Sequence, residues 1–374
     1  MRHIIHPIIL LAWAALAVLS CAKPPTYDEP SVLPSGDEDL VTVLFSASGG
    51  HATKLTGVTD AAETAIGRWA LFAFDTETGW FRCESASGGS ALPLQLRAGR
   101  TYTVYAVVNY PERGVGAFVP SSVRTPSDIT ETVAYLGDNA PGALLMYGST
   151  TVTPQPVAYD PEAAEEPEPE RKAISVRRLV SRVDLRGLSV DFSGKPALES
   201  KTFTLRRIYV TNAYRTTRYG TPYTYAELSS TRSAWYNSGG LHRGEGTEAG
   251  MDALLVDGPI GRVVTAGSPY TGSHSFYPFP NPTPASEDIL TMDAWTRRCT
   301  RLVIEASIDS DIVYYAIRVP SMVRNRIYAA SSVVIHGRGS NDPEIVDIDP
   351  EVITATVEPV IDDGWDGAGD VTLD

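Results

Sequence analysis

The sequence predicts an all-β protein with a minor helical content, and three observations carry that prediction. Tyrosine is abundant, at 18 residues, alongside many threonines and valines, residue types that fit a pleated, half-buried surface. The 27 prolines and 31 glycines gather in turn clusters between short apolar runs, the punctuation of sandwiches and barrels. No long segment has the 3.6-residue apolar period of an amphipathic helix. The chain of 374 residues is long enough for two domains with sizeable cores. Its net charge of −14 leaves no basic surplus to neutralise phosphates. That argues against nucleic acid or anionic lipid as the main partner.

The amino terminus comes first in chain order. Arg2 and His3 precede an apolar core from Pro7 to Leu19, and polar, proline-rich Ala22-Lys23-Pro24-Pro25 follows. A basic start, such a core and a small residue before a cysteine describe an export signal. The core is too short and wrongly flanked to span a membrane. Leu19-Ser20-Cys21 resembles a bacterial lipobox. By that resemblance residues 1–20 are a signal peptide, signal peptidase cuts between Ser20 and Cys21, and the Cys21 thiol carries lipid. The alternative is an ordinary signal peptide with an incidental cysteine. Residues 21–36, rich in Pro, Asp and Glu, read as a tether. Besides Cys21 the chain has only Cys83 and Cys299, far apart and expected to be two buried free thiols.

The first strand is Leu40-Val41-Thr42-Val43-Leu44-Phe45, with Val41, Val43 and Phe45 on one apolar face. Ser48-Gly49-Gly50-His51 breaks it. Asp60-Ala61-Ala62-Glu63 resembles a capping box and predicts a short helix. Strands are expected over Trp69–Asp75, Tyr102–Tyr110 and Ala143–Thr153, with a second short helix near Ser127-Asp128, where Glu131 follows three residues later. Residues 160–170 alternate proline with like charges, which forbids regular structure. An exposed interdomain loop is the reading there, so the expected domains are 37–170 and 171–374.

The second domain opens with Ile174 to Leu185, a stretch that basic and apolar residues share. It reads as one long strand partly covered by arginine stems. Further strands are expected over Thr202–Asn212, Leu302–Ile308, Val313–Val319, Ile327–Gly337 and Val352–Ile361, with large aromatic loops over 213–295.

Chemistry is sparse. His51, His242, His274 and His336 have no partner at metal spacing, and no HExxH, GxSxG or P-loop is present. The expectation is therefore no enzyme, no metal and no cofactor. Gly239 to Gly246 reads as a loop rather than a phosphate cradle. Asp362, Asp363, Asp366 and Asp370 do not match a calcium-binding loop. The run His274-Ser275-Phe276-Tyr277-Pro278-Phe279-Pro280 is open to two readings, a sugar platform or a loop plugged onto the core.

The last third carries a specific order of motifs. Tyr314-Tyr315 is followed by Val323-Arg324-Asn325-Arg326-Ile327-Tyr328, then Gly337-Arg338-Gly339-Ser340, a strand from Val352 to Pro359, and Trp365. This order resembles the FimA-type fimbrillins, the pilus subunits of Bacteroidetes. Arg178-Leu179-Val180-Ser181-Arg182-Val183 is similar to the strand opening that family's second domain, and Ala65 to Asp75 to its early strand. The resemblance implies two transthyretin-like β-sandwich domains in tandem. It also implies a lipid-anchored precursor at the outer membrane and a role as a fimbrial subunit in cell adhesion. Its partners would be other fimbrial subunits, outer-membrane lipid through Cys21, and host or bacterial surface ligands, with no nucleic acid.

Assembly by strand exchange follows from the same resemblance. Leu40 to Phe45 would fill a groove in the first domain until the following loop is cut. The C-terminal tail of the next subunit would then replace it, with Trp365, Val371 and Leu373 as donor residues. Family stalk subunits carry an arginine after the first strand where an arginine-specific protease cuts. Here Ser48 to Lys54 contains no arginine, only Lys54, which leaves Lys54 as the candidate cleavage point. Two alternatives remain: an uncleaved tip or anchor subunit, and a monomeric surface lipoprotein that binds glycans or host proteins.

Overall fold

Among the described residues, nine strands and two short α-helices make up the first half of the chain. They are β1 (Leu40–Ser48), α1 (Asp60–Glu63), β2 (Arg68–Asp75), β3 (Phe81–Ser87), β4 (Leu92–Arg97), β5 (Tyr102–Val108), α2 (Pro126–Thr130), β6 (Val133–Tyr135), β7 (Met146–Val152), β8 (Glu170–Ser175) and β9 (Arg177–Arg178). The computed structural model describes residues 40–48, 60–89, 91–156, 168–238, 252–289, 295–345, 349–360 and 365. β4, β1 and β8 form one sheet, and β3, β2, β5, β7 and β9 form the sheet facing it. Between them lies a core of Val43, Phe45, Trp69, Leu71, Leu94, Leu96, Tyr102, Val104 and Ile174, with their neighbours. This is a β-sandwich held by alternating inward side chains.

β2 is buried along nearly its whole length. Trp69, Leu71 and Ala73 enter that core, while Ala70, Phe72 and Phe74 belong to a second, larger cluster. The other face of β2 is therefore covered as well, by the segment carrying Phe118, Val123, Ile129 and Leu136. A strand buried on both faces reads as a continuous apolar run rather than an alternation.

The second half contains β10 (Arg182–Val190), α3 (Pro196–Glu199), β11 (Phe203–Thr211), β12 (Ala213–Tyr214), β13 (Thr216–Arg218), β14 (Trp235–Tyr236), α4 (Asp252–Leu255), β15 (Val256–Asp257), β16 (Arg262–Val263) and β17 (Tyr270–Phe276). It continues with β18 (Thr300–Ile308), β19 (Asp311–Val319), β20 (Ile327–Ala330), β21 (Val334–Ile335), β22 (Ile353–Thr354) and β23 (Val357–Val360). One sheet runs β22-β21-β10-β20-β23 with β17 on the other side of β10; its partner runs β15-β11-β18-β19, with β16 also on β11. Their facing side chains, among them Val183, Leu185, Leu205, Ile304, Tyr315 and Ile327, form a second sandwich core. The halves are stitched by β6 and β13, which pair antiparallel from Tyr135 with Thr216 to Val133 with Arg218.

Several expectations are corrected. The first sandwich does not stop at residue 170. β8 pairs in parallel with β1, and β9 pairs with β7, while Ile174 and Val176 sit in the first core. The long strand over Ile174–Leu185 is instead three strands, because the chain changes sheets at Val176 and again before Arg182. Gly148 permits that crossing, since a Cβ there would run into the Ser175 carbonyl. The region 213–295 is not simply loops: it supplies β17, which pairs with β10 from Val183 and Phe276 to Leu188 and Tyr270. The strand expected over Ile327–Gly337 is broken into β20 and β21. The second helix is capped by Thr125 with Asp128 in a capping box, not by Asp128 with Glu131; Glu131 lies 3.4 Å from Arg218. Cys83 and Cys299 are both buried, and neither forms a disulfide among the described residues.

The candidate polymerisation site

β1 is the middle strand of its sheet. It pairs antiparallel with β4, from Leu40 with Arg97 to Phe45 with Leu92. On its other side it pairs in parallel with β8, from Val43 with Glu170 to Ser48 with Ser175. The period-two pattern seen in the sequence decides which side chains go inward. Val43 and Phe45 are fully buried and Val41 is half-buried against the same core, while Thr42 and Ser46 are exposed. Each buried side chain contributes on the order of 1.5–3 kcal/mol. If β1 left, β4 and β8 would each expose a row of unpaired backbone groups above an apolar floor that includes Trp69, Leu71 and Val104.

Lys54 lies outside the described residues, as do Ser20, Cys21, Val371, Leu373 and the glycine-rich stretch 239–246. Trp365 is described, and its position departs from that of a free tail residue. Its ring is 1% exposed. The indole N–H donates to Glu63 Oε2 at 2.8 Å, the ring stacks on Tyr277 at 6.2 Å between centroids, and the Arg178 guanidinium lies 4.4 Å from its centre. An amphipathic ring with both its face and its N–H satisfied is held, not loose.

Glu63 is the residue that sequence reasoning placed wrongly. It is the last residue of α1, but its carboxylate turns inward. Oε1 accepts the Tyr277 hydroxyl at 2.5 Å, and both oxygens face Arg182 Nη1 at 3.2 Å. Arg182 Nε donates to Asp184 Oδ1 at 2.8 Å, and Asp184 Oδ2 accepts from Arg186 at 3.0 Å. Burial opposes the charge of Arg182, but Asp184 and Glu63 outweigh it and hold the guanidinium above its ordinary value. Burial, then the charge of Glu63, pushes the Tyr277 phenol strongly up, so it stays a donor. Arg178 completes the cluster: its Nε donates to the Glu63 carbonyl at 2.9 Å, and its backbone N–H to Asn325 Oδ1 at 3.1 Å. The arginines of this segment were expected as covers for a strand face. Two of them, Arg178 and Arg182, instead enter the junction between the sandwiches.

The motif residues of the last third have structural roles. Asn325 takes a left-handed backbone, at φ 57°, and turns the chain into β20. Tyr315 donates its hydroxyl to the Gly337 carbonyl at 2.8 Å. Tyr314 and Ser340 exchange backbone bonds at 2.8 and 3.0 Å, an approach that a side chain at Gly339 would block. The aromatic run at 274–280 plugs the core: Phe276, Tyr277 and Phe279 are buried. His274 is held between Asp257 Oδ2 at 2.5 Å and the Tyr270 hydroxyl at 2.6 Å. Among the described residues, no group of three or more His, Cys, Asp or Glu side chains is placed to hold a metal ion, and no helix is long and apolar enough to cross a membrane.

The fold recurs in solved structures. A candidate cell adhesion protein from Bacteroides eggerthii superimposes with a TM-score of 0.57 at 17% identity, covering 87% of this chain and 97% of that one. One from Parabacteroides distasonis gives 0.56 at 17%, covering 86% and 99%. A fimbrilin, FimA, from Porphyromonas gingivalis gives 0.53 at 16%, covering 85% and 96%. The chain has the fimbrillin fold. No protein-family model matches its sequence, and no curated protein sequence does. Coverage extends over nearly the whole of each fimbrillin-fold chain, so both sandwiches, and not one shared module, carry the likeness.

Proposed function

We propose that this chain is a structural fimbrial subunit that serves cell adhesion. It would be exported as a precursor lipidated on Cys21, held at the outer membrane, trimmed in the loop containing Lys54 and polymerised by strand exchange. The observation that carries this reading is the place of β1. A strand bonded on both sides, with Val43 and Phe45 plugged into the core, is one whose loss creates a complete acceptor groove. That groove has two unpaired edges, an apolar floor and room for an alternating donor. β-Strand addition satisfies all three at once. The donor in this reading is the segment beyond Trp365 of a second copy, where Val371 and Leu373 alternate. Glycines at 364, 367 and 369 allow it to bend away from its root. The domain organisation follows the same reading, with the export signal and tether ahead of two tandem sandwiches. The fimbrillin-fold neighbours support a surface location and partnership with other subunits.

The test is deletion of residues 366–374 in the full precursor, expressed on cells and followed by detergent-resistant, heat-labile ladders on gels. The ladders should vanish while the monomer remains folded; unchanged ladders would sink the donor assignment. Sequencing the amino terminus of the mature surface form reports the cut directly, and a form that still begins at Cys21 would favour an uncleaved anchor or tip subunit.

A further inference from the structure

Where the two sandwiches meet, the Arg324 guanidinium has no carboxylate partner among the described residues. Arg324 Nη1 donates to the carbonyls of Tyr219 and Gly220 at 2.7 and 2.8 Å, and Nη2 to that of Arg218 at 2.9 Å. Its Nε has no partner among the described residues. Arg324 is half-buried; Arg182, Arg298 and Arg301 are buried, and each of those meets a carboxylate within 3.2 Å. Arg324 meets only neutral dipoles, and no carboxylate pairs with it among the described residues. Burial, the dominant influence, pulls its guanidinium down to about 10. A desolvated cation compensated by carbonyls alone is a place where an anion gains more than it would at an exposed arginine.

Beside this charge is a cavity of about 350 Å³, lined by Tyr147, Gly148, Ser149, Ser175, Arg177, Gly220 and Arg324. Its walls come from both halves of the chain: β7, β8 and β9 on one side, and the segments after β13 and before β20 on the other. Arg177 is exposed and brings a second guanidinium. Ser149, Ser175 and Tyr147 offer hydroxyls, and Tyr147 also brings an aromatic ring. Burial raises the Tyr147 phenol to about 12, so it remains a neutral donor. Gly148 and Gly220 keep the walls low, since side chains there would strike Ser175 and Thr130. The volume falls at the small end of the usual range for ligand pockets, about 300–1,000 Å³.

The donors match one chemistry. Paired guanidiniums complement a carboxylate, hydroxyls complement hydroxyls, and an aromatic face covers the apolar face of a sugar ring. We propose that this interdomain groove binds a carboxylate-bearing sugar ring, a hexuronate or similar acid, with its carboxylate toward Arg324 and Arg177. The site adjoins the β1 groove at Ser175, which pairs with Ser48, while Arg324 and Arg177 lie outside that groove.

The experiment is calorimetric titration of the full mature chain with glucuronate, glucose and inorganic phosphate, with a trisaccharide ending in glucuronate as a fourth ligand. Glucuronate is expected to bind at least about tenfold more tightly than glucose, the discrimination a hydrogen-bonded charge supplies, and more tightly than phosphate. Binding of the trisaccharide as tight as that of glucuronate assigns a glycan terminus, and its exclusion assigns the free acid; either agrees with the site. Arg324→Gln should erase the preference over glucose. Because Arg324 also clamps the 218–220 carbonyls, its melting curve is measured in parallel. Arg177→Gln, at an exposed side chain, provides a variant that folds and should weaken glucuronate several-fold. Equal affinity for glucose and glucuronate, phosphate binding as tight as glucuronate, or no effect of Arg177→Gln would overturn the proposal.

Discussion

The indole N–H of Trp365 donates to the carboxylate of Glu63 across 302 positions of sequence. Glu63 ends the helix that follows the loop after β1, and Trp365 is the last described residue before the C-terminal segment. The two segments that strand exchange would mobilise are thus rooted at one buried carboxylate. Arg182 supplies its counter-charge, and Tyr277 a further donor.

Glu63→Ala should destabilise the chain by about 3–5 kcal/mol, because it strips the Arg182 guanidinium of one of its two carboxylates inside the protein. Trp365→Phe keeps a ring over Tyr277 but loses the bond to the carboxylate, for about 1.5–3 kcal/mol. Urea unfolding of the two variants measures both. A Glu63→Ala chain as stable as the parent would mean that Asp184 alone neutralises Arg182.

Phe45→Ala should cost about 3–5 kcal/mol through the cavity it leaves. Thr42→Ala, on the exposed face of the same strand, should stay within about 0.5 kcal/mol. Thermal unfolding of the precursor distinguishes the two, and equal losses would contradict the inward placement of Phe45.

Cys21→Ala should leave an unprocessed precursor without lipid. Metabolic labelling with a radioactive fatty acid checks it, and label that persists in the variant would refute Cys21 as the acceptor.

Gly148→Ala should destabilise by about 1–3 kcal/mol, the usual cost of overpacking, since its methyl would meet the Ser175 backbone. The melting temperature reports it. An unchanged value would show that β8 can shift away from β7 without loss.

The α2 cap should titrate. Asp128 accepts the backbone N–H groups of Arg124 and Thr125, each at 2.8 Å. The Arg124 bond, and with it that of Thr125, outweighs desolvation and holds the carboxyl below its ordinary value of 3.8. A carboxyl depressed in the folded state contributes stability above its unfolded pKa and loses it as pH falls through the folded value. The gap in melting temperature between the parent chain and Asp128→Asn should therefore be open at neutral pH and close below pH ~3.8. A gap that stays constant with pH would assign the cap to shape rather than charge.

Elements whose side chains alternate or run apolar were legible from local pattern alone. Val41, Val43 and Phe45 announce β1, Tyr102 to Val108 announce β5, and Val313 to Val319 announce β19, because period two on a strand is a local property. The motif order from Tyr314 to Trp365 was legible for the same reason, being ordered along the chain. The run Ile174 to Leu185 was misread because its breaks are decided by neighbours: β8 by β1, β9 by β7, and β10 by β17 and β20. Glu63 was read as a cap because its local spacing permits one. Its carboxylate instead goes where Arg182, Tyr277 and Trp365 together offer more donors than a helix end does. By itself, then, the sequence determined that this chain is built of strands and which strand comes first. Tertiary structure alone decided which sheet each strand joins and which buried charges meet. Sheet pairing and ion pairing join residues far apart in sequence, and only closing the fold brings them within hydrogen-bonding distance.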